Sequence, residues 1–535
     1  MTSNDYPNIL IVTTDQQRTD SLSCYGSAFT HTPHLDRLGA EGAVCERAYC
    51  ANPVCTPARV SIFSGQYMSR HGAWNVGLNA PDDVVMISHR LGRLGYRTHY
   101  IGKAHFQAFG GTPQETREPV RGWEQHYPAF RGPYYGFQTI ELALGHVTYG
   151  LAGHYGAWVR SQVNEEQFEL LTQARRHGSL DFGGNAYDWD IPLPLHNSVW
   201  TADRTIAFLQ SHDARQPFLL AVGFQDPHHP HGVPVQFEER VDPSDVPLPR
   251  YIEGELVDKP PHFLIAHRGQ LETADFRGEF WVAGQGPGAD FAQVGEQDAR
   301  MGRAYYHSMV RLIDQQIGRI LDCLDEQGLA ENTLVVFTTD HGELLGDHGL
   351  WMKGPFHYEE LVRIPMLIRW PSGIPAGQRV RGLISQVDLV PTILAAIGEE
   401  VPACHSERVE ILRNSQNDSE ESPSEIDGVN ALPLLQSVAA RTEAGPRSTV
   451  RDAAIIECTD DPHGLRLKTV VTQEHKLTVY HGHDFGELYD LQGDPGELVN
   501  RWDDPAYAAE RQRLMGRILD HMEPLERRVP RICYA

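Results

Sequence analysis

Four places in the sequence set metal-binding or anion-binding side chains directly after a short apolar run. They are Asp15-Gln16, Gly102-Lys103-Ala104-His105, Gln225-Asp226-Pro227-His228-His229-Pro230 and Asp340-His341-Gly342-Glu343. Two carboxylates with an amide oxygen suit a hard divalent cation, and the imidazole of His341 widens the choice toward Mn²⁺ or Zn²⁺. Lys103, His105 and His228 add positive charge and acid/base groups beside it. Taken singly, an Asp after a strand is a turn or helix cap and a His is a satisfied structural residue; four clusters at equivalent positions imply one shared crevice. A fifth piece is Cys55-Thr56-Pro57-Ala58-Arg59. Thr56 and Pro57 read as N-cap and first turn, and Gly65 as the stop, so Ala58 to Ser64 is expected to form a short helix. Cys55 then lies at a helix N-terminus, where unpaired N–H groups favour an anion or a developing negative charge. Arg59, one turn in, can point back to the same place.

The elements that must hold these groups are legible as β-branched runs: NILIVTT at 8–14, RTHYI at 97–101, PFLLAVGF at 217–224 and TLVVFTT at 333–339. Continuous apolar runs alternating with helices predict a large, mostly parallel sheet sandwiched by helices, an α/β fold whose ligands sit beyond the carboxyl ends of the strands. Helices are predicted from Thr32-Pro33 to Gly42, over 301–328 closing at Gly328, and over 388–398. From about 107 to 199 the chain is rich in Gly, His and aromatics, among them Trp123, Tyr127, Tyr134, Tyr135, Tyr155 and Trp158, and reads as a long excursion over a sheet edge. Residues 406–427 are polar and charged, as in a surface insertion. Strand-like pieces follow, then a helix from about Pro505, predicting a smaller C-terminal α+β domain with an antiparallel sheet. The expected units are 1–400, a connector at 401–450, and 451–535.

Across 535 residues, 46 Lys and Arg face 71 Asp and Glu, a formal charge of −25 that argues against nucleic-acid and anionic-membrane partners. A small anionic substrate needs only a few local cations and remains compatible. With no apolar run of spanning length, no evident export signal and only eight Cys, the expected compartment is a reducing cytoplasm, with each Cys a small buried residue.

The sequence resembles the type I sulfatases of the alkaline-phosphatase-like superfamily. Cys55-Thr56-Pro57-Ala58-Arg59, followed by VSIFSG, is similar to the signature whose Cys is oxidised to Cα-formylglycine, with Ala58 where Ser is commoner. TPHLDRLGAEG, GKAHF, DPHHP, TTDHGELLGDHGLWMKGPFHYEELVRIP, DLVPTIL and ELYDLQGDPGE extend the likeness over nearly the whole chain in order. The resemblance implies a sulfatase acting on the sulfate ester of a small alcohol, sugar or phenol, matured by a formylglycine-generating enzyme. It implies metal ligands at Asp15, Gln16, Asp340, His341 and modified Cys55, and sulfate-binding or proton-handling roles for Arg59, Lys103, His105, His228 and Lys353. Glu359, Glu360 and Arg363 also match a family motif and read as scaffold. Gln16 and His341 stand where many sulfatases carry Asp and Asn, a variation shared with phosphonate monoester hydrolases. That leaves open the metal (usually Ca²⁺ in the family, with Mn²⁺ or Mg²⁺ admissible) and the alternative of a phosphonate monoester or phosphodiester hydrolase with the same nucleophile. A non-catalytic binding protein and an unconverted Cys55 thiol are the remaining alternatives. His229 and His231 are further substrate-contact candidates. The tail RRVPRICYA reads equally as a homo-oligomer interface or a packed end.

The acidic balance carries its own expectation. Long polysulfated chains are to be poorer substrates than small sulfate esters, judged by kcat/KM on a polymer and its monosulfated unit; a preference for the polymer contradicts it.

Overall fold

The computed structural model describes residues 6–173, 175–176, 186–213, 215–268, 291–400, 426–437, 450–460 and 464–522. The central sheet takes β1 (Asn8–Thr14), β2 (Ala43–Tyr49), β3 (Arg97–Gly102), β4 (Thr139–Leu144), β7 (Phe218–Gly223), β9 (Thr333–Thr339), β10 (Arg363–Ile364), β11 (Met366–Arg369) and β12 (Gln378–Ser385). A three-stranded sheet joins β5 (Arg175–Arg176), β6 (Ala186–Trp189) and β8 (His231–Pro234), and an antiparallel C-terminal sheet runs β13 (Ala454–Asp460), β14 (Leu465–Val471), β15 (His475–Tyr480) and β16 (Gly486–Asp490).

The order β10-β2-β11-β9-β1-β7-β3-β4, with β12 beside β2, makes the four predicted runs consecutive neighbours: β9, β1, β7 and β3. They are parallel, and their ends are level, since Thr14 faces Thr339, Thr13 faces Gly223, and Gly102 faces Gly223. Every residue of β1, β7 and β9 is buried, the consequence of helices covering both faces. Those helices include Pro33–Ala40, Asn197–Gln210, Glu296–Glu326 and Leu389–Ala396. The long one begins a turn earlier than its apolar periodicity predicts, with Glu296 and Asp298 in the first turn, where the positive dipole end favours them.

Two expectations are filled out and one is corrected. First, β2, β4 and β10 to β12 have no counterpart among the predicted runs; β10 and β11 run antiparallel to their neighbours, so the sheet is mixed, though still mostly parallel. Second, the 107–199 excursion contributes β4 as the edge strand, together with the helices Gly153–Gln162 and Glu165–Leu171, and its Trp123, Tyr134, Tyr135 and Tyr155 pack into the main core. Third, Thr56 does not cap. The helix spans Cys55–Ser64 with Val54 as N-cap, because the side chain of Asn52 already closes the preceding turn by accepting the N–H of Val54 at 2.9 Å. Gly65 ends it as expected, in the left-handed conformation.

The C-terminal unit matches its prediction, with Leu514 and Ile518 of the helix Ala508–His521 packed on Val470, Leu477 and Leu488. Within the expected connector, residues 426–437 include the helix Leu432–Gln436 and bury Ile426, Leu434 and Leu435; most of the polar insertion and the tail RRVPRICYA lie outside the described residues. The six described cysteines are all free. No described helix is long and apolar enough to cross a membrane.

Lys103 leaves the sheet where two glycines let the β3 and β7 backbones touch. A Cβ on Gly223 would lie 2.2 Å from the Lys103 carbonyl, and one on Gly102 2.0 Å from the Gly223 carbonyl. Gly223→Ala is therefore expected to lower stability by about 2 kcal/mol or more through overpacking, read as a shifted urea midpoint; an unmoved midpoint contradicts the close approach.

Candidate active site

Beyond the level strand ends, Arg59 reaches back from the first turn of the Cys55–Ser64 helix. Its Nε donates to Asp340 Oδ2 at 3.0 Å and its Nη2 to Asp15 Oδ2 at 3.1 Å, while Nη1 donates to the Lys103 carbonyl at 2.9 Å. All three side chains are fully buried. Lys103 Nζ also pairs with Asp15 Oδ2. Asp340 Oδ1 accepts the backbone N–H of Gln16 and of His341, each at 2.9 Å, which locks β1 to β9 at the site.

Cys55 sits at the centre. Its Sγ is 2.7 Å from Lys353 Nζ, 3.4 Å from His341 Nε2 and 3.8 Å from Asp15 Oδ1. Lys353 Nζ also lies 3.1 Å from His228 Nε2 and 3.3 Å from His341 Nε2. Both imidazoles direct Nδ1 at a backbone carbonyl, His341 to Gly342 at 2.8 Å and His228 to His229, so each presents Nε2 as an acceptor. His105 is stacked on Phe109 at 3.8 Å, and neither of its buried ring nitrogens has a partner among the described residues.

The donor set fits a divalent cation. Ligand atoms of Asp15, Cys55, Asp340 and His341 lie within 4.8 Å of one another. Gln16 Oε1 is buried with no partner among the described residues, while its Nε2 is held by Glu343 and by His229 Nδ1 at 3.1 Å. Oxygen ligands with one imidazole suit Ca²⁺, Mn²⁺ or Mg²⁺.

The Sulfatase family description matches residues 7–399. The chain belongs to the sulfatase family. As such it is a sulfuric ester hydrolase. It is 29% identical over 525 residues to the uncharacterized sulfatase YidJ of Escherichia coli, covering 97% of this chain and 88% of that one. It is 26% identical to the choline-sulfatase of Rhizobium meliloti, covering 93% and 83%. Among solved structures, the phosphonate monoester hydrolase of Agrobacterium radiobacter superposes with a TM-score of 0.73 at 25% identity, covering 96% of this chain and 95% of that one.

In this sulfatase the predicted site residues Asp15, Gln16, Cys55, Arg59, Lys103, His228, Asp340, His341 and Lys353 meet in one contact network, and His105 lies within the electrostatic reach of Asp15, Lys103, Arg59 and Lys353. Asp226 and Gln225 do not join them. Asp226 accepts the hydroxyl of Ser198 and the side-chain amide of Asn197 at the start of the Asn197–Gln210 helix while its carbonyl accepts the N–H of Asp15 at 3.2 Å, and burial raises its carboxyl to about 6. His231 packs on Tyr306. His146, absent from the sequence analysis, belongs to the site: it lies flat on His228 at 3.7 Å and contacts Lys103 Nζ. Its signal was present, for IELALGH repeats the strand-then-Gly pattern of HYIGKAH, but the charged Glu141 masks the strand.

Burial raises the pKa of Asp15, yet Lys103, Arg59, Lys353 and His146 outweigh it and hold the carboxyl well below its usual range. Burial also holds His105 and His228 well below theirs, and His341 to about 4, so these rings are neutral. Lys353 is desolvated, but Cys55, Asp15 and Asp340 raise it overall, so it stays protonated. Two carboxylates against Arg59, Lys103 and Lys353 leave one net positive charge, and a divalent cation would raise that to three.

Removing the guanidinium takes from buried Asp340 the cation that pairs with it and leaves buried Asp15 to Lys103. Arg59→Gln is expected to destabilise the metal-free protein by about 3–5 kcal/mol, measured by urea denaturation in chelator. An unchanged midpoint contradicts the bridging role.

Proposed function

We propose that this sulfatase is a formylglycine-dependent hydrolase of small sulfate esters, of an alcohol, sugar or phenol, releasing inorganic sulfate. The observation that carries the reading is Cys55 at the first position of its helix, with Asp15, His341 and Lys353 converging on its sulfur. As a thiol the residue would be a poor nucleophile, because burial and then Asp15 raise its pKa. Maturation by a formylglycine-generating enzyme would resolve that. Asp15, Gln16, Asp340, His341 and residue 55 would hold one divalent cation. The cation would withdraw charge from the sulfate oxygens, and a hydrated aldehyde at residue 55 would supply the attacking hydroxyl.

The chain's own residues account for the rest. Arg59 and Lys103 orient Asp15 and offset the ester's charge. Protonated Lys353 and neutral His228, 3.1 Å apart, form a donor–acceptor pair able to pass a proton to the departing alcohol. His105, neutral and with both nitrogens unpartnered among the described residues, is the base on the opposite task of taking a proton from residue 55. The catalytic unit would run over 1–400, followed by a connector at 401–450 and a small C-terminal domain at 451–535.

A second reading, phosphonate monoester or phosphodiester hydrolysis, is favoured by Gln16 and His341 and by the likeness to the Agrobacterium enzyme. Steady-state assays on an aryl sulfate and the matching aryl phosphonate ester separate the two: the proposal expects the higher kcat/KM on the sulfate, and the reverse order replaces it. In the same preparation, the tryptic peptide containing Cys55 is expected to be lighter than the thiol form by about 18 Da, the mass change on oxidation to the aldehyde. Activity from protein with an unmodified thiol would falsify the formylglycine assignment.

A further inference from the structure

The loop that carries His146 holds one more group facing the site. After β4 the chain makes a turn through Gly145 and Val147, both at positive φ, closed at its base by bridges from Leu144 to Ala152 and from Ala143 to Gly153. Gln225, just past the end of β7, pins it by donating Nε2 to the Gly145 carbonyl at 2.7 Å. The loop is thus rigidly placed, and it presents Tyr149 in contact with His146 Nδ1, the ring centroids 5.3 Å apart.

The proton positions along this chain are fixed by what each group has to give. Lys103, as an ammonium paired with Asp15, has only protons to offer, so it donates to His146 Nε2. A neutral imidazole accepting at Nε2 carries its hydrogen on Nδ1, which must then donate to the Tyr149 oxygen. The phenolic hydrogen is left without an acceptor among the described residues. Tyr149 is 49% exposed although its partner His146 is only 4% exposed, so the residue spans the boundary between the buried site and solvent. Its oxygen lies within electrostatic reach of Asp15 and Cys55. Because His146 lies flat on His228, Tyr149 stands one ring beyond the group assigned above to the departing alcohol.

We propose that Tyr149 is a specificity-determining residue that donates its phenolic hydrogen to an acceptor on the carbon next to the ester carbon of the alcohol, with His146 as the positioning residue that aims it. The sulfatase then favours alcohols with a vicinal oxygen, as in a catechol or a sugar diol, over those without one. This rests on the sulfatase reading and goes beyond it in naming the alcohol.

The test compares phenyl sulfate with catechol monosulfate. In Tyr149→Phe the ratio of kcat/KM for catechol monosulfate over phenyl sulfate is expected to fall about fivefold, in the range of one neutral hydrogen bond, and the change is to appear in KM. His146→Phe, which keeps a flat ring on His228 but has no Nδ1–H, is expected to lower the same ratio. A ratio within about 1.5-fold of wild type in Tyr149→Phe overturns the contact, and a fall there with none in His146→Phe overturns the aiming role. The same ratio is read as Kd by calorimetry on Cys55→Ala protein with and without Tyr149→Phe. Wild-type protein that turns over neither ester refutes the proposed function as a hydrolase of phenol sulfates, whereas an unchanged Kd ratio refutes the role of Tyr149.

Discussion

One guanidinium organises this molecule. Arg59 ties Asp15, at the end of β1, to Asp340, at the end of β9, and holds the Lys103 carbonyl just past β3. Without it, Lys103 would be left to offset Asp15 while buried Asp340 beside it kept only hydrogen bonds, in a low-dielectric setting where like charges repel strongly. A lysine could neutralise one of them but could not span both, since a point charge lacks the planar fork that donates in several directions at once. Because Arg59 sits on the helix that begins at Cys55, the same contacts that hold the strand ends together also set the position of the sulfur.

Behind this bridge lies a second buried network that steadies the segment from Asp340 to Lys353. Arg18 donates to the carbonyls of Glu343 and Leu344 and pairs with Asp347 at 2.7 Å. His348, at φ +58, sits between Glu255 and Glu360 and stacks on Tyr358 at 3.6 Å. Burial disfavours its charge, but the two carboxylates raise it to about 9. The raised value means that this stabilisation is full below the ordinary imidazole range and is lost as pH rises through about 9. Glu360 and Glu359 thus act as scaffold, the latter pairing with Lys476 of β15 and accepting the hydroxyl of Tyr49. They link the site to the C-terminal sheet without entering it.

How much of this the sequence disclosed depended on burial. β1, β7 and β9 are enclosed on both faces, so each is an unbroken apolar run, and the chemistry at its end is legible with it. β2 and β4 are partly open and carry Glu46, Arg47 and Glu141, which hide them. With β4 went His146 and Tyr149, although the same loop-after-strand logic applied. The Cys55 to Arg59 spacing correctly indicated a helix terminus but not its first residue, because an Asx turn at Asn52 is a local competition that composition does not reveal. Gln225 and Asp226 misled in the opposite direction: they occupy the expected place, yet the neighbouring helix terminus and the Gly145 carbonyl claim their polar atoms first.

The strand order also has a consequence in time. β1 is made long before its partner β9, which begins at Thr333, and Lys353 lies 298 residues after the cysteine it covers. Cys55 is 1% exposed in the finished fold, but most of that enclosure is built from chain that does not exist when Cys55 leaves the ribosome. At about 5–20 residues per second, the interval before Lys353 emerges is roughly 15–60 s. Until then the enclosure of the sulfur lacks Lys353, and in the finished fold Lys353 and His341 both close on it.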